Sequence, residues 1–274
     1  MSAVSTSAPA ARLAWRWGRL PVWVRKGLLL VALLGVWQAY VSFSHVSHLL
    51  WAGPWQTARA FESGWRDGSL AGPTWTTLKL LLESVGIGAG IAIVFTVFAA
   101  LSTLGTDLLE LLTSIFNPLP GVVVLPLAML WFGIDTGAIL FTVAFATVWP
   151  IAINLSMGFR TVSPTIVAVG RNIGLSRLRV VTDVLIPAAL PHAVTGLKTA
   201  WAFGWRTMIA SELVFGVAGS KGGLGNYINN ARLYFLTPRI FAGLVTIALL
   251  GVVFESVFGL AERITVVRWG MKHT

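Results

Sequence analysis

The sequence contains no cysteine and few charged residues. Without a thiol, the chain can form neither a disulfide framework nor a thiolate metal site. Charged residues make up only 11% of the 274 positions, whereas soluble globular domains carry about 25%. This shortage of charge excludes a soluble domain with an ordinary solvated surface.

Hydrophobic residues take the place of the missing charges. They make up 56% of the chain, and the mean hydropathy is +0.79. A helix needs about 20 apolar residues to cross a bilayer, and the chain contains several runs of that length. We predict an all-α membrane protein in a single membrane domain at 27–260. Its roughly six transmembrane helices are predicted at 27–43, 77–101, 108–132, 137–159, 191–216 and 240–260.

Basic residues are unevenly distributed between the two sides of this membrane domain. Twelve of the twenty lysines and arginines lie in the N-terminal segment 1–26, the polar break 160–190 or the tail 261–274. Cytoplasmic loops carry an excess of lysine and arginine, so we expect all three segments, and both termini, on the cytoplasmic side. The net charge of +10 follows this topology and does not indicate nucleic-acid binding.

The polar break at 160–190 has the pattern of two short helices meeting at a glycine. Its helix signals are two serine caps, two prolines and a glycine stop, in the order Ser163, Pro164, Gly174, Ser176 and Pro187. Charged and apolar residues alternate along this stretch. Such a pair can lie on the membrane surface, dock into the groove of a partner, or serve as a basic loop that only fixes topology.

The same stretch resembles the cytoplasmic loop of the inner-membrane permeases of binding-protein-dependent ABC importers. That loop carries a Glu-Ala-Ala motif, a glycine after three more residues, then nine residues and an Ile-x-Leu-Pro-like ending. Here Gly174 is followed by nine residues and by Val-Leu-Ile-Pro at 184–187. Ala-Val-Gly at 168–170 replaces Glu-Ala-Ala, which removes one expected polar contact with the ATPase. The later text KGGLGNYINNAR is similar to the nitrate, sulfonate, taurine and bicarbonate branch.

This resemblance implies a fold like that of the type I ABC importer permeases, in a bacterial inner membrane. It also implies a homodimer with a pore between two copies in membrane lipid, two ATP-binding subunits, and an external substrate-binding protein. ATP and Mg²⁺ would be bound by the ATPase, and no cofactor is expected in this chain. Coupling to the ATPase would fall to Arg171, Gly174, Leu175, Ser176, Arg177 and Pro187.

Two charged residues lie inside the fifth predicted span. Placing an arginine at the centre of a membrane helix costs at least about 2.5 to 3.5 kcal/mol. Arg206 and Glu212 are separated by about 240° around a helix, so they cannot pair, and each needs a partner from outside its own helix. Arg206 can hold the bundle together, or it can lower the barrier for an anion that crosses a pore. Both interpretations stay open.

The third predicted span is interrupted by prolines and a glycine at 118–126. Such interruptions free backbone groups at membrane depth, which indicates either the wall of a water-filled pathway or a simple kink. Taken with the fifth span, it gives a predicted translocation pathway of Asn117, Trp131, Trp205, Arg206 and Glu212.

Glycines are concentrated at two places outside the polar break. In the second span, Gly86 and Gly90 would let another helix approach closely. In the outer loop 215–239, a hinge or lip at a pore mouth is predicted, with an inert turn as the alternative, at Gly222, Gly223 and Gly225. The loop lacks the glycine and lysine spacing of a phosphate-binding P-loop.

The sequence therefore predicts a transport subunit rather than an enzyme. It contains no recognisable nucleotide fingerprint or pairing of nucleophile and base, so ATP hydrolysis is expected in a partner. The predicted cargo is a small organic or inorganic anion of the sulfonate, taurine or nitrate kind. The alternatives are an ion-coupled secondary carrier, which would show internal repeats and acidic relays, and an importer of a heteroaromatic vitamin precursor.

Overall fold

The computed structural model describes residues 20–44, 47, 49–215 and 222–267. These residues form helices joined by short turns, and no strand occurs among them. The all-α class predicted from the composition is confirmed.

The described helices follow one another with few long connections. In chain order they are α1 Val22–Phe43, α2 Pro54–Arg66, α3 Ala71–Leu101, α4 Thr103–Phe116, α5 Leu125–Phe132, α6 Thr136–Thr161, α7 Pro164–Asn172, α8 Arg177–Ala188, α9 Leu190–Phe215, α10 Leu224–Leu233 and α11 Thr237–Glu262. A 3₁₀ turn at Gly121–Val124 leads into α5. π-helical turns occupy Val180–Leu185 within α8 and Arg263–Val267 after α11.

Four of these helices, α1, α3, α6 and α11, are long and apolar enough to cross a membrane. Two bent pairs also meet that test when each pair is taken together. The first joins α4 to the segment containing α5 at an angle of 94°, and the second joins α8 to α9 at 70°. Counting each bent pair as one span gives six, which agrees with the predicted number.

Helix α6 forms the centre of the bundle. Of the residues in its apolar stretch, 72% are buried, and it packs between α3 and α9. Thr147 of α6 lies where these three helices come closest: a Cβ on Gly88 of α3 would be 2.1 Å from its Oγ1, and a Cβ on Gly204 of α9 would be 2.9 Å from its Cγ2. Small residues permit such close helix packing in membranes.

This contact corrects the glycine pair predicted in the second span. A Cβ added to Gly86 or Gly90 would have no atom of another helix within 4 Å, whereas Gly88, between them, carries the contact with α6. A sequence spacing identifies a small-residue stretch, but which glycine faces the neighbour depends on how α3 is rotated. The spacing alone does not fix that rotation.

The third predicted span is two separate helices rather than one kinked helix. The chain turns by 94° between Phe116 and Gly121, so α4 and α5 are separate helices. Pro118 and Pro120 lie in the turn, where neither can donate a backbone hydrogen bond and each disfavours a helical residue before it. The turn before α4 is at Ser102, whose Oγ accepts the Gly105 N–H at 3.0 Å. Gly105 itself lies within α4.

Both ends of the membrane domain differ from the predicted boundaries. Helix α1 begins at Val22 rather than at residue 27, and helical structure continues past residue 260 to Val267. The polar connector before the second span contains α2, an amphipathic helix capped by Gly53. The remainder of the N-terminal segment and of the tail lies outside the described residues.

Helix α1 lies at the edge of the bundle. None of its described residues is buried. Its contacts with the rest of the chain include Trp37, whose ring stacks on Phe241 of α11 at 5.4 Å and whose indole N–H donates to the Ala52 carbonyl at 3.1 Å. The ring of Tyr40 also lies edge-to-face on Trp51, at 5.5 Å. Most of its apolar surface is therefore available to lipid or to another chain.

Candidate functional sites

The polar break folds into two short helices, α7 and α8, that meet at Gly174. The Ser163 Oγ accepts a hydrogen bond from the Thr165 N–H at 3.3 Å, and the Ser176 Oγ accepts one from the Arg179 N–H at 3.3 Å. Gly174 has φ of +89°, in the left-handed region that favours glycine. The predicted caps and glycine stop are thus present as local structure.

We call residues 166–179 the docking tip, because they project as an exposed turn. Four large apolar side chains are exposed there, that of Ile173 by 72%; they are Ile166, Val169, Ile173 and Leu178. Arg171 and Arg177 are exposed beside them. An exposed apolar patch with a charged rim is typical of a protein or membrane contact.

The docking tip is connected to the bundle through α8. Val180 and Val181, at the start of the π-helical turn, are buried and anchor α8. Pro187 lies in the last turn of α8, which ends at Ala188, and α9 departs at an angle of 70°. The docking tip is therefore joined through α8 to the base of α9.

A cavity of about 170 Å³, which we call the α9–α11 cavity, lies between those two helices. Trp205 and Arg206, two of the predicted pathway residues, both line it, and Arg206 is exposed. Among the residues that the structure describes, no carboxylate lies within ion-pair distance of Arg206.

The other basic residue of the α9–α11 cavity has two acidic partners. Lys198 Nζ lies 3.0 Å from Glu255 Oε1 and 3.4 Å from Glu262 Oε2. Both glutamates belong to α11, so this cluster joins the N-terminal half of α9 to α11. Lys198 and Arg206 are separated by about 12 Å along the helix axis at 1.5 Å per residue.

Glu212 lies in a different place, at the junction of α3, α9 and α10. Its side chain is buried, with the residue only 3% exposed. Thr77 Oγ1 donates to Glu212 Oε1 at 2.8 Å, and the Gly225 N–H donates to Oε2 at 2.8 Å. The Leu224 N–H in turn donates to Thr77 Oγ1 at 2.8 Å. We call Thr77, Glu212 and residues 223–225 the α10 junction.

The α10 junction explains why glycines occur in the outer loop. A Cβ on Gly223 would lie 2.0 Å from Glu212 Oε1, and one on Gly225 would lie 2.5 Å from Glu212 Cβ. A Cβ on Gly222 would meet the Asn226 side chain at 2.3 Å. Close packing against the Glu212 side chain thus requires glycine at 223 and 225. The hinge or lip role of the loop stays a prediction. Residues 216–221 of the predicted loop lie outside the described residues.

The remaining predicted pathway residues occupy other parts of the surface. Asn117 is exposed at the end of α4, and Trp131 is exposed in α5 with its ring edge-to-face on Phe141 at 5.5 Å. Neither lines the α9–α11 cavity. Of the five residues predicted for the pathway, the structure brings Trp205 and Arg206 together in one cavity.

A second cavity, of about 380 Å³, lies among α3, α4 and α6. Glu110 of α4 and Arg160 of α6 form an ion pair there, and Leu185 of α8 contributes to its wall. The sequence did not point to this cavity, because its lining consists mainly of ordinary apolar and hydroxyl residues from three helices.

The protein family of the chain follows from its similarity to known proteins. Residues 88–265, more than half of the chain, match the family model described as binding-protein-dependent transport system inner membrane component. The chain belongs to this family. The match includes α6, the docking tip, the α9–α11 cavity and the described part of the outer loop.

Two relatives of this binding-protein-dependent family cover nearly the whole chain. SsuC of Escherichia coli (strain K12), a permease whose assignment to aliphatic sulfonates transport is provisional, is 30% identical over 257 residues, covering 90% of this chain and 94% of SsuC. The taurine transport system permease protein TauC of the same strain is 28% identical over 265 residues, covering 93% of each chain.

A solved structure supports the same fold. The inward-facing MetNI methionine ABC transporter matches with a TM-score of 0.59 and 18% sequence identity, covering 71% of this chain and 95% of that one. The predicted family and the type I permease-like fold are therefore confirmed. The chain is an integral membrane permease component of the ABC importer family.

Several residues of the two sites could not be predicted from the sequence. Thr77 gave no signal, because a threonine in an apolar helix usually bonds its own backbone. Lys198 and Glu255 did give one: a charge within an apolar run is costly, so both were candidates for a partner. Their pairing could not be predicted, since it depends on how α9 and α11 pack.

Proposed function

We propose that this chain is the permease subunit of an ATP-driven importer, and that the docking tip binds a separate ATPase subunit. The observation that carries this proposal is the exposed apolar turn around Gly174, on the side where basic residues accumulate. A turn that only fixed topology would not need four exposed apolar side chains. Because the chain belongs to a family of importer permeases, the partner proposed for this surface is an ATPase subunit.

The exposed position of Arg206 supports a second copy of the chain. A guanidinium facing lipid at membrane depth would cost several kcal/mol, and no described residue of this chain neutralises it. The face that α9 and α11 present is therefore expected to be covered by another subunit or by water. In a homodimer with the solute pathway along this face, the second copy and the water of the pathway would cover Arg206. The termini of both copies would lie in the cytoplasm.

The proposed cargo is a small organic or inorganic anion, delivered by an external substrate-binding protein. Arg206 supplies a fixed positive charge along the pathway, and the two relatives described above are assigned to sulfonates and taurine. A heteroaromatic vitamin precursor is the alternative cargo. ATP and Mg²⁺ would bind to the ATPase, whose closure would shift the permease between inward-open and outward-open states.

Affinity purification tests this assembly. The full chain, tagged and gently extracted from the membrane of its source cell, should retain an ATP-binding subunit and a substrate-binding protein, both identified by mass spectrometry. Substituting Ile173→Asp in the docking tip should release the ATPase, while Ile93→Asp, at an exposed position far along α3, would disturb insertion instead and serves as the contrast. Recovery of the chain alone, or retention of the ATPase by Ile173→Asp, would contradict the proposal.

Replacing Arg206 with glutamine tests the pathway. Arg206→Gln should abolish substrate flux, because the passing anion loses its positive partner, while the complex with the ATPase still assembles. Flux is measured in vesicles, and assembly by size-exclusion chromatography. Collapse of the complex instead would show that Arg206 holds subunits together.

A further inference from the structure

The turn between α10 and α11, which we call the aromatic turn, presents consecutive apolar side chains on its surface. Residues 233–236 read Leu-Tyr-Phe-Leu and are all exposed, Tyr234 by 75% and Phe235 by 64%. An exposed apolar run of this kind indicates a binding role. One membrane crossing, through α9, separates the aromatic turn from the docking tip, so the two lie at opposite ends of the bundle.

The backbone of the aromatic turn is strained at Phe235. This residue has φ of +55°, and in the described part of the chain it is the only residue other than glycine with positive φ. Its N–H donates to the Arg232 carbonyl at 3.2 Å, and the next N–H, of Leu236, donates to the Ala231 carbonyl at 2.8 Å. These are the two hydrogen bonds of a Schellman motif, whose left-handed residue is usually glycine. The chain therefore places a phenylalanine where the backbone favours glycine.

Packing within the chain does not explain the phenylalanine. Under α10, Tyr227 and Ile228 are buried in a cluster with Leu70. The side chain of Phe235 is mostly exposed, so it contributes little to that cluster. A glycine at this position would remove the strain and lose little internal contact. The explanation is therefore expected in what surrounds the ring.

The aromatic turn adjoins the ends of two helices that can span the membrane. Helix α11 begins at Thr237, directly after the turn, and the Thr237 hydroxyl donates to the Leu49 carbonyl in the connector after α1. Leu49 and Leu50 are 63% and 67% exposed, and they extend the apolar surface of the turn. The ends of membrane-spanning helices lie where hydrocarbon meets headgroups, and tyrosine is enriched at that level.

Two arginines flank the aromatic turn. Arg232 and Arg239 are exposed, and neither has a carboxylate within ion-pair distance among the described residues. Asp67 lies near enough to Arg239 for an electrostatic interaction, so Arg232 carries the less balanced charge. A guanidinium presents a planar fork of donors that suits phosphate oxygens. Apolar and basic side chains together are typical of a surface that contacts anionic lipid.

We propose that the aromatic turn binds phospholipid and holds α10 against the membrane surface at the end of the bundle opposite the docking tip. Phe235, Leu49 and Leu50 lie among the acyl chains just below the headgroups, and Arg232 binds a lipid phosphate. The Tyr234 ring lies at the headgroups with its hydroxyl in water. Transfer of the Phe235 ring from water to lipid offsets the backbone strain. This inference depends on neither the cargo nor the ATPase.

The depth of a single spin label tests the proposal. Because the chain has no cysteine, a nitroxide attached to Phe235→Cys is the only label in the full-length chain, which is reconstituted in vesicles of equal parts phosphatidylcholine and phosphatidylglycerol. Its collisions with oxygen, which enters lipid, are compared with its collisions with a water-soluble nickel chelate. Leu249→Cys, exposed in the middle of α11, gives the lipid reference, and Ser63→Cys, exposed on α2, gives the water reference. We expect the label at 235 to be shielded from the chelate, as at 249.

Arginine substitutions test the phosphate contact. Arg232→Gln in the chain labelled at 235 should increase collisions with the chelate severalfold, because the basic residue that attracts anionic lipid is lost. The increase should be absent in vesicles of phosphatidylcholine alone. Arg66→Gln is the matched control, since Arg66 is also exposed near this end of the bundle but pairs with Glu62 at 2.7 Å. It should leave the depth of the label unchanged.

A glycine variant separates backbone strain from lipid binding. Phe235→Gly should raise the melting temperature of the purified chain in detergent, because glycine adopts positive φ without steric cost. In the vesicles, the same substitution should make a label at Leu50→Cys more accessible to the chelate, because the neighbouring ring no longer holds the patch in lipid. Melting of every labelled variant shows whether it remains folded.

Four results would overturn this inference. A label at 235 that meets the chelate as readily as the label at Ser63→Cys would place the turn in water. Shielding that appears only after the external binding protein is added would identify a protein-docking surface, and spin–spin broadening between labels at 235 would identify a contact between two copies. Equal effects of Arg232→Gln and Arg66→Gln would exclude the phosphate contact.

Discussion

Glu212 is a buried carboxylate whose partners come from two other helices. The sequence identified it as a charge in an apolar span that needs an outside partner, and that prediction is confirmed by its bonds to Thr77 and Gly225. The identity of the partner could not be predicted. Thr77 is 135 positions away in the sequence, and only the crossing of α3 and α9 brings the two together.

Removing the hydroxyl of Thr77 should destabilise the α10 junction. Thr77→Val leaves the Leu224 N–H without its acceptor and takes one donor from Glu212, and an unpaired buried group costs about 1–3 kcal/mol. We expect a lower melting temperature for the purified chain in detergent. Thr76→Val is the matched control, because the Thr76 hydroxyl bonds only the Gly72 carbonyl within α3. Equal melting temperatures for the two variants would show that the junction contributes no stability.

The role of Arg206 could be predicted only in part from its position in the sequence. Its cost in a membrane was evident from its position in the span, but the sequence left both a structural role and an anion-binding role open. The structure adds that the described chain supplies no acidic partner and that Trp205 shares its cavity. The choice between the two roles depends on what covers this face of α9. The sequence of one chain does not say whether a second chain covers it.

At the level of elements, the helices α7 and α8 were the easiest to predict. Their starts and stops depend on local chemistry, namely serine caps, a proline at the first helical position and a glycine with positive φ. The break between α4 and α5 was harder. The prolines indicated an interruption, but the 94° angle depends on packing of α5 against α6.

Proline at Gly174 should uncouple the docking tip. Gly174 has φ of +89°, whereas proline fixes φ near −65°, so Gly174→Pro must rearrange the turn between α7 and α8. We expect normal membrane insertion but ATP hydrolysis that no longer drives uptake, measured together in proteoliposomes that contain the complete transporter.

Gly133 offers a matched control for this substitution. It also has positive φ, at +74°, but it lies before α6, at the opposite end of that helix from the docking tip. Gly133→Pro imposes a similar strain and should reduce stability without separating hydrolysis from uptake. Unchanged uptake in Gly174→Pro, or the same uncoupling in both variants, would contradict the assignment of the docking tip.

For the whole molecule, composition was sufficient to predict a helical membrane domain with about six spans. The helical class and the number of spans follow from the free-energy cost of placing unpaired backbone groups and charges in lipid. Every residue in the membrane is subject to that cost. The assembly could not be derived in the same way. Helix α1 has no buried residue and Arg206 has no acidic partner in the described chain, and what covers these two surfaces does not follow from a single chain.

The absence of cysteine allows a direct test of topology. A single introduced thiol is the unique target for a membrane-impermeant maleimide, since the thiolate is the reactive nucleophile. Ile173→Cys in the docking tip should be labelled from the cytoplasmic side, and Tyr234→Cys, exposed between α10 and α11, from the outside. Labelling in the reverse pattern would place the docking tip away from ATP and remove its proposed role.

The central claim is that solute moves through this permease only when a separate ATPase works. Uptake of labelled ethanesulfonate or taurine, measured in proteoliposomes containing the chain, its ATPase and its binding protein, tests that claim most directly. We predict accumulation that requires ATP and is indifferent to an imposed proton or sodium gradient. Accumulation by the chain alone, driven by such a gradient and unaffected by ATP, would contradict the claim and identify a secondary carrier.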